Sequence, residues 1–505
     1  MKLARLIEGL DIINISGETS GEVSTVCFSA DKCNRGSLFV AIPGLKNDGH
    51  DFISEAVTRG AQFVVYEKDL LPPGVTAIKV SDSRRALSIL AKNFFGNPSG
   101  NLVLVAVMGT NGKTTITYLL ESILKEAGFK CGVLGTVNYR YNNKVYPAPN
   151  TTPESYEMQK ILRDMADDGI THVIAEVSSH AVDLKRVDDC DFDLGIFTNL
   201  TRDHLDYHLT MENYFQAKKR FFAEILPKSK KVHAQKMVIN ADDQWGQRII
   251  KEVSLPALPY GIENDSSIRA ANYELSLSGI KAQINLAGET VSIASPLIGK
   301  FNLYNILAAV GAAFILHIPS DVIKRGIENL TNVPGRLEKV ISSDDVNIFV
   351  DYAHTDDALR RVLQNLVELK KKRIITVFGC GGNRDRGKRP LMGEAATSYS
   401  DLTIITSDNP RLEDPLAIIA EIEAGIDSGR IQKTAPDKLQ LKNGTHGYIV
   451  IPERRKAIEA AMNTAQSKDI VLIAGKGHED YQILGTEKLP FDDRVVVAQT
   501  LKLRS

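Results

Sequence analysis

The chain has 505 residues, of which 43% are hydrophobic and 24% are charged. A single hydrophobic core stops growing at roughly 250–300 residues, so this length predicts two to three domains, and the ordinary composition argues against a disordered chain. The formal net charge of −1 gives no basic excess for nucleic acid or for an anionic membrane surface, and neither is an expected partner.

The cysteines and the apolar segments indicate the cellular compartment of the protein. Five cysteines are scattered without metal-type spacing, which argues against a disulfide framework or a zinc site and predicts a reducing compartment. The N-terminal segment lacks the apolar stretch of a signal peptide. No apolar run approaches the roughly 20 residues of a membrane-spanning helix. We therefore expect a cytoplasmic protein.

The first 98 residues predict a small α/β domain. Strand-like segments at 37–42 and 62–67 flank a helical segment near 52–60. The segment GNPSGN at 96–101 has the composition of a linker, and it sets the first domain boundary, giving residues 1–98.

Residues 99–333 predict a central domain with a mostly parallel sheet and crossover helices. The segments 102–108, 171–176 and 194–199 are apolar throughout, as is typical of strands buried on both faces. A second boundary is expected near Val333-Pro334-Gly335.

Residues 334–505 predict a third domain, a Rossmann-like α/β sheet. Four apolar strands, NIFV, RIITVF, LTIIT and IVLIAG, are each followed directly by a polar cluster. Ligands of open α/β sheets bind beyond the carboxyl ends of the strands, so these four clusters should meet in one crevice.

A phosphate-binding loop follows the strand predicted at 102–108. It runs through Gly109, Thr110, Asn111, Gly112, Lys113, Thr114 and Thr115 into a helical segment. Backbone N–H groups and the helix N-terminus attract phosphate, Lys113 neutralises the β- and γ-phosphates, and the Thr114 hydroxyl can reach magnesium. The first glycine lies closer to Gly112 than in the general Walker pattern. Nucleotide binding alone also fits a switch protein or a transporter ATPase.

Two further strand ends carry candidate metal ligands. Glu176 ends the segment 171–176, where a carboxylate can coordinate magnesium, and the alternative is a solvated strand-end carboxylate. His204 follows the segment 194–199 in a loop rich in polar groups. A histidine is more often a satisfied interior residue than a ligand, but the position at a strand end favours a ligand.

The helix predicted over 213–226 places a lysine in its apolar face. The apolar stripe consists of Tyr214, Phe221, Phe222 and Ile225. Lys218 lies in its middle, where a cation is costly unless it is paired or its pKa falls. One interpretation is that the side chain reaches back to solvent. The other is a neutral amine that reacts with CO₂ to give a carbamate, which helps to hold a second magnesium ion.

The motifs in their order resemble those of the Mur ligase family. They are GTNGKTT, EVSSH, TNLTRDHLDYH, YFQAKKRFF, GKFNLYN, PGRLE, VDYAHT, GGNRDRGKRP, DNPR and GKGHED, and they span nearly the whole chain. The resemblance implies an ATP-dependent ligase of peptidoglycan precursor synthesis, active as a monomer. It further implies that meso-2,6-diaminopimelate is added to the D-Glu γ-carboxylate of UDP-MurNAc-L-Ala-D-Glu through an acyl phosphate.

The resemblance also assigns roles to individual residues. It implies one magnesium site at Thr114 and Glu176, and a second at His204 and carbamylated Lys218, so that Lys113, Lys218 and His204 are the expected catalytic residues. The further residues implied for ATP are Asn305, Arg336 and Asp351. Those implied for the UDP-MurNAc-dipeptide are Asn150, Thr151, Thr152, Ser178 and Arg186.

The choice of amino acid is expected to depend on the third domain. Diaminopimelate differs from lysine by a second carboxylate, and a buried carboxylate requires a fork of donors such as arginine provides. Arg411, in Asp408-Asn409-Pro410-Arg411, supplies one, unless it is a surface arginine paired with Glu413 or Asp414. By resemblance, Arg384 contacts the other carboxylate, and Gly475 and Glu479 lie near the distal ammonium.

Two segments depart from the family pattern. Ser29-Ala30-Asp31 stands where the family usually has Asp-Ser-Arg near the uridine, which puts those contacts in doubt, and Thr355-Asp356 replaces Thr-Pro. A lysine-adding homologue and a ligase similar to folylpolyglutamate synthetase are the alternative enzymes. The alternative without catalysis is a nucleotide-dependent interaction protein.

Overall fold

The computed structural model describes residues 1–44, 47–69, 72, 74–231, 235–286, 288–340, 345–435 and 446–502. The chain forms two compact units. The first contains Met1–Leu200, Thr210–Ile268 and Ala308–Gly326, and the second contains Thr201–Leu209, Arg269–Leu307 and Ile327–Ser505. Within the described ranges, every helix is too short or too polar to cross a membrane. All five cysteines are buried free thiols.

The first unit begins with a five-stranded sheet in the order β1-β5-β4-β3-β2. Strands β2 to β5 are parallel to their neighbours, and β1 is antiparallel to β5. The elements are α1 (Leu3–Leu6), β1 (Ile12–Ser16), β2 (Thr25–Cys27), β3 (Ser37–Val40), α2 (Ile53–Thr58), β4 (Ala61–Tyr66), β5 (Thr76–Val80) and α3 (Ser83–Phe95). The predicted strands and helix of this region are confirmed.

The segment 96–101, which has linker composition, is a packed turn. Ser99 is fully buried, and its Oγ accepts a hydrogen bond from Asp191 N at 3.0 Å. The Asn97 side chain donates to the Asp191 carboxylate at 2.8 Å. Further ion pairs across this region join Arg85 to Asp189, Lys185 to Asp82 and Arg84 to Glu154. Gly, Asn, Pro and Ser also favour tight turns, which is why composition did not separate a turn from a flexible linker.

The central sheet of the first unit has the strand order β13-β12-β11-β6-β10-β7-β8-β9. Its strands are β6 (Val103–Met108), β7 (Cys131–Leu134), β8 (Tyr139–Tyr141), β9 (Lys144–Tyr146), β10 (His172–Glu176), β11 (Leu194–Phe197), β12 (Lys236–Asn240) and β13 (Ala257–Gly261). The strands from β13 to β7 are parallel. Every residue of β10 and β11 is buried, which confirms the prediction from their apolar sequences.

The helices that follow these strands begin with α4, which starts directly after the glycine-rich loop. They are α4 (Lys113–Glu126), α5 (Ser155–Asp167), α6 (Ser179–Asp183), α7 (Leu205–His208), α8 (Met211–Arg220) and α9 (Gln244–Glu252). α7 belongs to the second unit. The helix predicted over 213–226 changes its winding: α8 ends at Arg220, and Phe221–Ile225 forms a π-helix. The predicted apolar stripe is buried, and Lys218 is buried with it.

The next elements are β14 (Ile268–Ser276), β15 (Gly279–Leu286), β16 (Glu289–Ser295), α10 (Lys300–Ile315) and α11 (Ser320–Asn329). β15 and β16 form a long antiparallel pair. Buried and exposed residues alternate along β15, as expected for a strand with one face in the core.

The second unit also contains a seven-stranded sheet in the order β17-β18-β23-β19-β20-β22-β21. Its strands are β17 (Glu338–Val340), β18 (Asn347–Asp351), β19 (Ile374–Phe378), β20 (Leu402–Ile405), β21 (Gln432–Lys433), β22 (Gly447–Val450) and β23 (Ile470–Ala474). The four strands predicted for this region, β18, β23, β19 and β20, are parallel neighbours, so their carboxyl ends share one edge.

Five helices and a separate hairpin complete the second unit. They are α12 (Asp356–Leu369), α13 (Lys388–Tyr399), α14 (Pro415–Glu423), α15 (Arg454–Thr464), β24 (Tyr481–Leu484), β25 (Glu487–Pro490) and α16 (Asp493–Lys502). β24 and β25 form a two-stranded antiparallel sheet of their own. The α/β fold class with three sheet-containing regions agrees with the prediction.

Candidate active site

The glycine-rich loop wraps around the side chain of Lys113. The Lys113 ammonium donates to the carbonyl oxygens of Gly109 at 3.0 Å and Thr110 at 2.8 Å. Gly109 has a φ of 137°, and a Cβ there would lie 1.8 Å from Thr198 Oγ1, so the loop requires glycine at this position. α4 begins at Lys113 without a side-chain cap, which leaves its N-terminal N–H groups suited to an anion.

The end of β11 holds the loop in place. Asn199 accepts from Asn111 N through its side-chain oxygen at 3.0 Å, and Asn199 O accepts from Thr110 N at 2.9 Å. Thr198 Oγ1 donates to Asn111 O at 2.7 Å. These bonds connect the ends of two parallel neighbouring strands, and they fix the backbone of the phosphate-binding loop.

Lys218 reaches the same loop from α8. Its side chain is 1% exposed, and its Nζ donates to Gly109 O at 3.0 Å, the oxygen that also accepts from Lys113. The Nζ lies 4.8 Å from the centre of the Tyr214 ring. The inward orientation is confirmed and the solvent-reaching interpretation is wrong, because the whole side chain is enclosed.

Glu176 lies at the carboxyl end of β10, beside β6 and its loop. It is 1% exposed, and its carboxylate accepts from Thr136 N at 3.1 Å and Thr136 Oγ1 at 2.8 Å. Both of these hydrogen bonds come from neutral groups. A buried carboxylate compensated only by neutral donors fits a cation, and carboxylate and hydroxyl oxygens are the ligands that magnesium prefers. The donor set of Glu176 and Thr114 therefore fits the expected magnesium ion.

The residues expected at the UDP-MurNAc-dipeptide lie around Glu176. Thr152 Oγ1 donates to Glu176 O at 2.9 Å and accepts from Ser178 N at 3.1 Å. Arg186 donates to Thr152 O at 3.1 Å, and Thr151 Oγ1 lies 3.1 Å from Thr136 Oγ1. Asn150 O accepts from Tyr139 at 2.5 Å. The structure therefore brings these five sequence-predicted residues together at one strand end.

His204 belongs to a segment of the second unit. Its side chain is 44% exposed, with Nε2 3.4 Å from the Asp203 carboxylate, which contradicts the interpretation as a buried interior histidine. Over the part of the chain that is described, no group of three or more His, Cys, Asp or Glu side chains is placed to hold a metal ion. The two expected magnesium sites would therefore also need other oxygen ligands, such as hydroxyl groups.

The four polar clusters of the second unit meet at one sheet edge, as predicted. Gly475 N donates to Asp351 O at 3.1 Å, and the rings of Tyr352 and His478 are 5.0 Å apart. Gly382 N donates to Asn409 O at 2.9 Å. These contacts connect the loops after β18, β19, β20 and β23.

The residues expected at ATP in the second unit are Asn305, Arg336 and Asp351. The buried Asp351 carboxylate accepts from Leu337 N at 2.6 Å and Ala353 N at 2.7 Å. Burial raises the pKa of Asp351, and the positive charge of Arg336 opposes that rise. Asn305 lies on α10, and its side chain donates a hydrogen bond to the Asn302 side chain at 3.0 Å.

A buried lysine organises the loops after β20 and β23. Lys476 is 0% exposed, and its Nζ donates to Asn409 Oδ1 and Glu479 Oε2, both at 3.2 Å. Asn409 in turn donates to Glu479 at 2.9 Å, and Asp408 Oδ1 lies 3.9 Å from the ammonium. Two carboxylates surround one ammonium, so the cluster suits a further cationic group. Nothing in the local sequence pattern predicts that Lys476 is buried.

Arg411 and Arg384 both lie beside Gly381, Arg411 with its guanidinium and Arg384 with its aliphatic stem. A Cβ on Gly381 would lie 3.1 Å from Arg411 Nη1 and 3.8 Å from Arg384 Cγ. Arg411 donates to Gly382 O at 2.8 Å. Pairing of Arg411 with Glu413 or Asp414 is excluded, because Glu413 pairs with Arg389 at 2.9 Å and Asp414 caps α14.

The two departures from the family pattern lie in regular local structure. In the first unit, the Ser29 hydroxyl donates to the Asp31 carboxylate at the start of a 3₁₀ turn. In the second, Thr355 caps α12 by accepting from Ala358 N at 3.3 Å, so the helix begins normally without proline at position 356.

The chain matches three family models. They are the Mur ligase family catalytic domain over residues 22–95, the Mur ligase middle domain over 107–313, and the Mur ligase glutamate ligase domain over 335–477. The chain therefore belongs to the Mur ligase family, a family of ATP-dependent ligases.

Individual relatives cover nearly the whole chain. The UDP-N-acetylmuramoyl-L-alanyl-D-glutamate–2,6-diaminopimelate ligase of Geobacter sulfurreducens is 47% identical over 495 residues, 98% of this chain and 97% of the relative. The protein of the same name from Geobacter metallireducens is 46% identical over 503 residues, 99% and 98% of the two chains. A solved structure of a ligase with this name has a TM-score of 0.69 at 33% identity and covers 97% of each chain.

Proposed function

We propose that this protein adds meso-2,6-diaminopimelate to the D-Glu γ-carboxylate of UDP-MurNAc-L-Ala-D-Glu, using ATP and magnesium, in peptidoglycan precursor synthesis. The observation that carries the choice of amino acid is that Arg411 and Arg384 both flank Gly381, in the loop that bonds to Asn409 of the Asp408, Lys476 and Glu479 cluster. Two guanidinium groups match two carboxylates, and the acidic cluster matches the distal ammonium. The names of the relatives support the same substrate.

The first unit activates the carboxylate. Lys113 and the N-terminus of α4 bind the phosphates of ATP, and they oppose the negative charge that develops as the phosphoryl group moves to the γ-carboxylate. Thr114 and Glu176 would hold magnesium, which supplies further neutralisation of phosphate charge. Asn150, Thr151, Thr152, Ser178 and Arg186 position the UDP-MurNAc-dipeptide.

Lys218 is proposed to carry a carbamate. Its enclosed ammonium would lose one proton, the resulting amine would bond to the carbon of CO₂, and the nitrogen would then lose a second proton, so that a buried cation becomes a buried anion. That anion and His204 would then serve the second magnesium ion. The support is the full burial of Lys218 beside the phosphate-binding loop.

The second unit delivers the amine. The amino group of diaminopimelate attacks the acyl phosphate, phosphate leaves, and an amide bond forms. No protein nucleophile is needed, so positioning and electrostatics supply the rate enhancement. Asn305, Arg336 and Asp351 are proposed to contact ATP, and Asp408, Asn409, Pro410, Arg411, Gly475 and Glu479 to contact the amino acid, together with Arg384.

A competition assay tests the proposal. The protein is given ATP, magnesium, UDP-MurNAc-L-Ala-D-Glu and equal amounts of diaminopimelate and lysine, and the products are identified by mass. We expect the diaminopimelate adduct. A lysine adduct would assign the lysine-adding homologue, and turnover only when a folate replaces the UDP substrate would assign a folylpolyglutamate-synthetase-like ligase.

The proposed location is the cytoplasm, where ATP and nucleotide-linked precursors are available, and five free thiols suit its reducing conditions. We propose a monomer, because one chain carries the residues for ATP, for the UDP precursor and for the amino acid.

The Glu176→Gln variant tests the proposed magnesium site. Glutamine keeps the shape, and its one amide oxygen can still accept from Thr136 N, but it lacks the charge that attracts the cation. We expect the magnesium concentration for half-maximal phosphate release to rise by about 100-fold. The unfolding midpoint without magnesium should not fall, because the change removes a buried charge that only neutral donors compensate. Glu289→Gln, at an exposed position of β16, is the matched control; an unchanged magnesium requirement for Glu176→Gln contradicts the assignment.

A further inference from the structure

The hairpin β24–β25 lies outside the seven-stranded sheet and contacts the loop that carries Arg411. An isolated two-stranded hairpin is marginally stable in water, so its conformation depends on what it packs against. All four residues of β25 are exposed, whereas the first three residues of β24 are partly buried. The contacts that fix the hairpin are therefore those of β24.

Four hydrogen bonds join β24 and its turn to residues 408–411. The Gln482 side chain donates to Asp408 O at 2.6 Å, and Ile483 N donates to Asn409 Oδ1 at 2.9 Å. Arg411 N donates to Ile483 O at 3.2 Å, and Gly485 N donates to Arg411 O at 2.8 Å. The hairpin thus binds both ends of the Asp-Asn-Pro-Arg segment.

The backbone of Arg411 needs this support. Its φ is 54°, in the left-handed region, where a side chain with a Cβ is strained. A strained backbone conformation persists only where the surrounding contacts hold it in place. Both backbone polar groups of Arg411 bond to the hairpin, so the hairpin holds the conformation from which the guanidinium reaches Gly382.

We propose that the hairpin β24–β25 is a specificity element of the amino-acid site, with Gln482 as a positioning residue that holds the Asp408–Arg411 loop so that Arg411 meets the second carboxylate of the acceptor. This inference rests on the proposed function. Lysine has no second carboxylate, so its binding should depend less on the hairpin.

The test is Gln482→Leu, which leaves an uncharged side chain one atom shorter and removes the donor to Asp408 O. We expect the KM for diaminopimelate to rise about tenfold, as for the loss of one well-placed hydrogen bond, with kcat within about twofold. The KM values for ATP and the UDP precursor should not change, and the preference for diaminopimelate over lysine should fall by the same factor. Gln432→Leu, at an exposed position of β21, is the matched control.

A second variant tests the other end of the hairpin. Gly485 has a φ of 61° and open space around it, so Gly485→Ala strains the backbone that donates to Arg411 O without a steric clash. The same rise in the KM for diaminopimelate is expected.

The outcomes separate this inference from the proposed function. If the unaltered protein prefers diaminopimelate and Gln482→Leu keeps its KM and preference, the hairpin proposal is overturned and the function stands. If all three KM values rise together with a lower unfolding midpoint, Gln482 has only a structural role and the proposal is also overturned. If the unaltered protein does not use diaminopimelate, both fall.

Discussion

Replacement of Lys113 by methionine is expected to reduce ATP-dependent phosphate release and ligation by about 10³-fold, the scale seen when one preorganised electrostatic donor is removed. The Lys113 ammonium lies inside the phosphate-binding loop, where it donates to two backbone carbonyls. Methionine preserves the length of the side chain but provides no charge for the phosphates. Phosphate release in the presence of all three substrates measures the effect.

Lys125→Met is the control for this prediction. Lys125 lies on the same helix, α4, and its exposed side chain pairs with Glu121 four residues earlier. Such pairs contribute little, so activity should stay near that of the unaltered protein. Activity of Lys113→Met within tenfold of the unaltered protein would show that the loop does not bind the transferred phosphate.

Replacement of Arg411 by alanine is expected to lower kcat/KM for diaminopimelate by about 100-fold or more, because a desolvated carboxylate loses its partner. This factor corresponds to a loss of roughly 3 kcal/mol of transition-state stabilisation. Glu413 and Asp414 have other partners, so no acidic neighbour of Arg411 is left unpaired by the change. Turnover of lysine should not fall, since lysine lacks that carboxylate. Steady-state kinetics with each amino acid measures both effects.

Two further variants complete this test. Arg411→Lys keeps the charge but not the planar fork of donors, so an intermediate loss is expected. Arg430→Ala, at an exposed position in a pair with Asp427, should leave both amino acids unaffected. Unchanged diaminopimelate kinetics in Arg411→Ala would remove the argument for specificity.

The strands and the phosphate-binding loop could be predicted because their signals are local. β10, β11, β19, β20 and β23 are apolar along their lengths, and each is bounded by polar residues. The inward orientation of Lys218 followed from helical periodicity alone. The π-helical winding after Arg220 did not, because it has no periodic signal of its own.

The amino-acid site was predicted only in part, because its remaining features depend on distant partners. The burial of Lys476 requires Asn409, which is 67 residues away in the chain. The hairpin β24–β25 is short and β25 is exposed along its length, so nothing in its sequence indicates a link to Arg411. The left-handed φ of Arg411 likewise follows from tertiary contacts.

The packed turn at 96–101 has a consequence for exchanging parts between relatives. The first region and the central sheet are connected by Asn97 and Ser99 with Asp191, and by ion pairs such as Lys185 with Asp82. A chimaera that takes residues 1–98 from another species therefore needs residues that can form the same hydrogen bonds and ion pairs between its first region and its central sheet. A graft without them would leave Asp191 without the Asn97 amide and Lys185 without Asp82, and its unfolding midpoint is expected to fall.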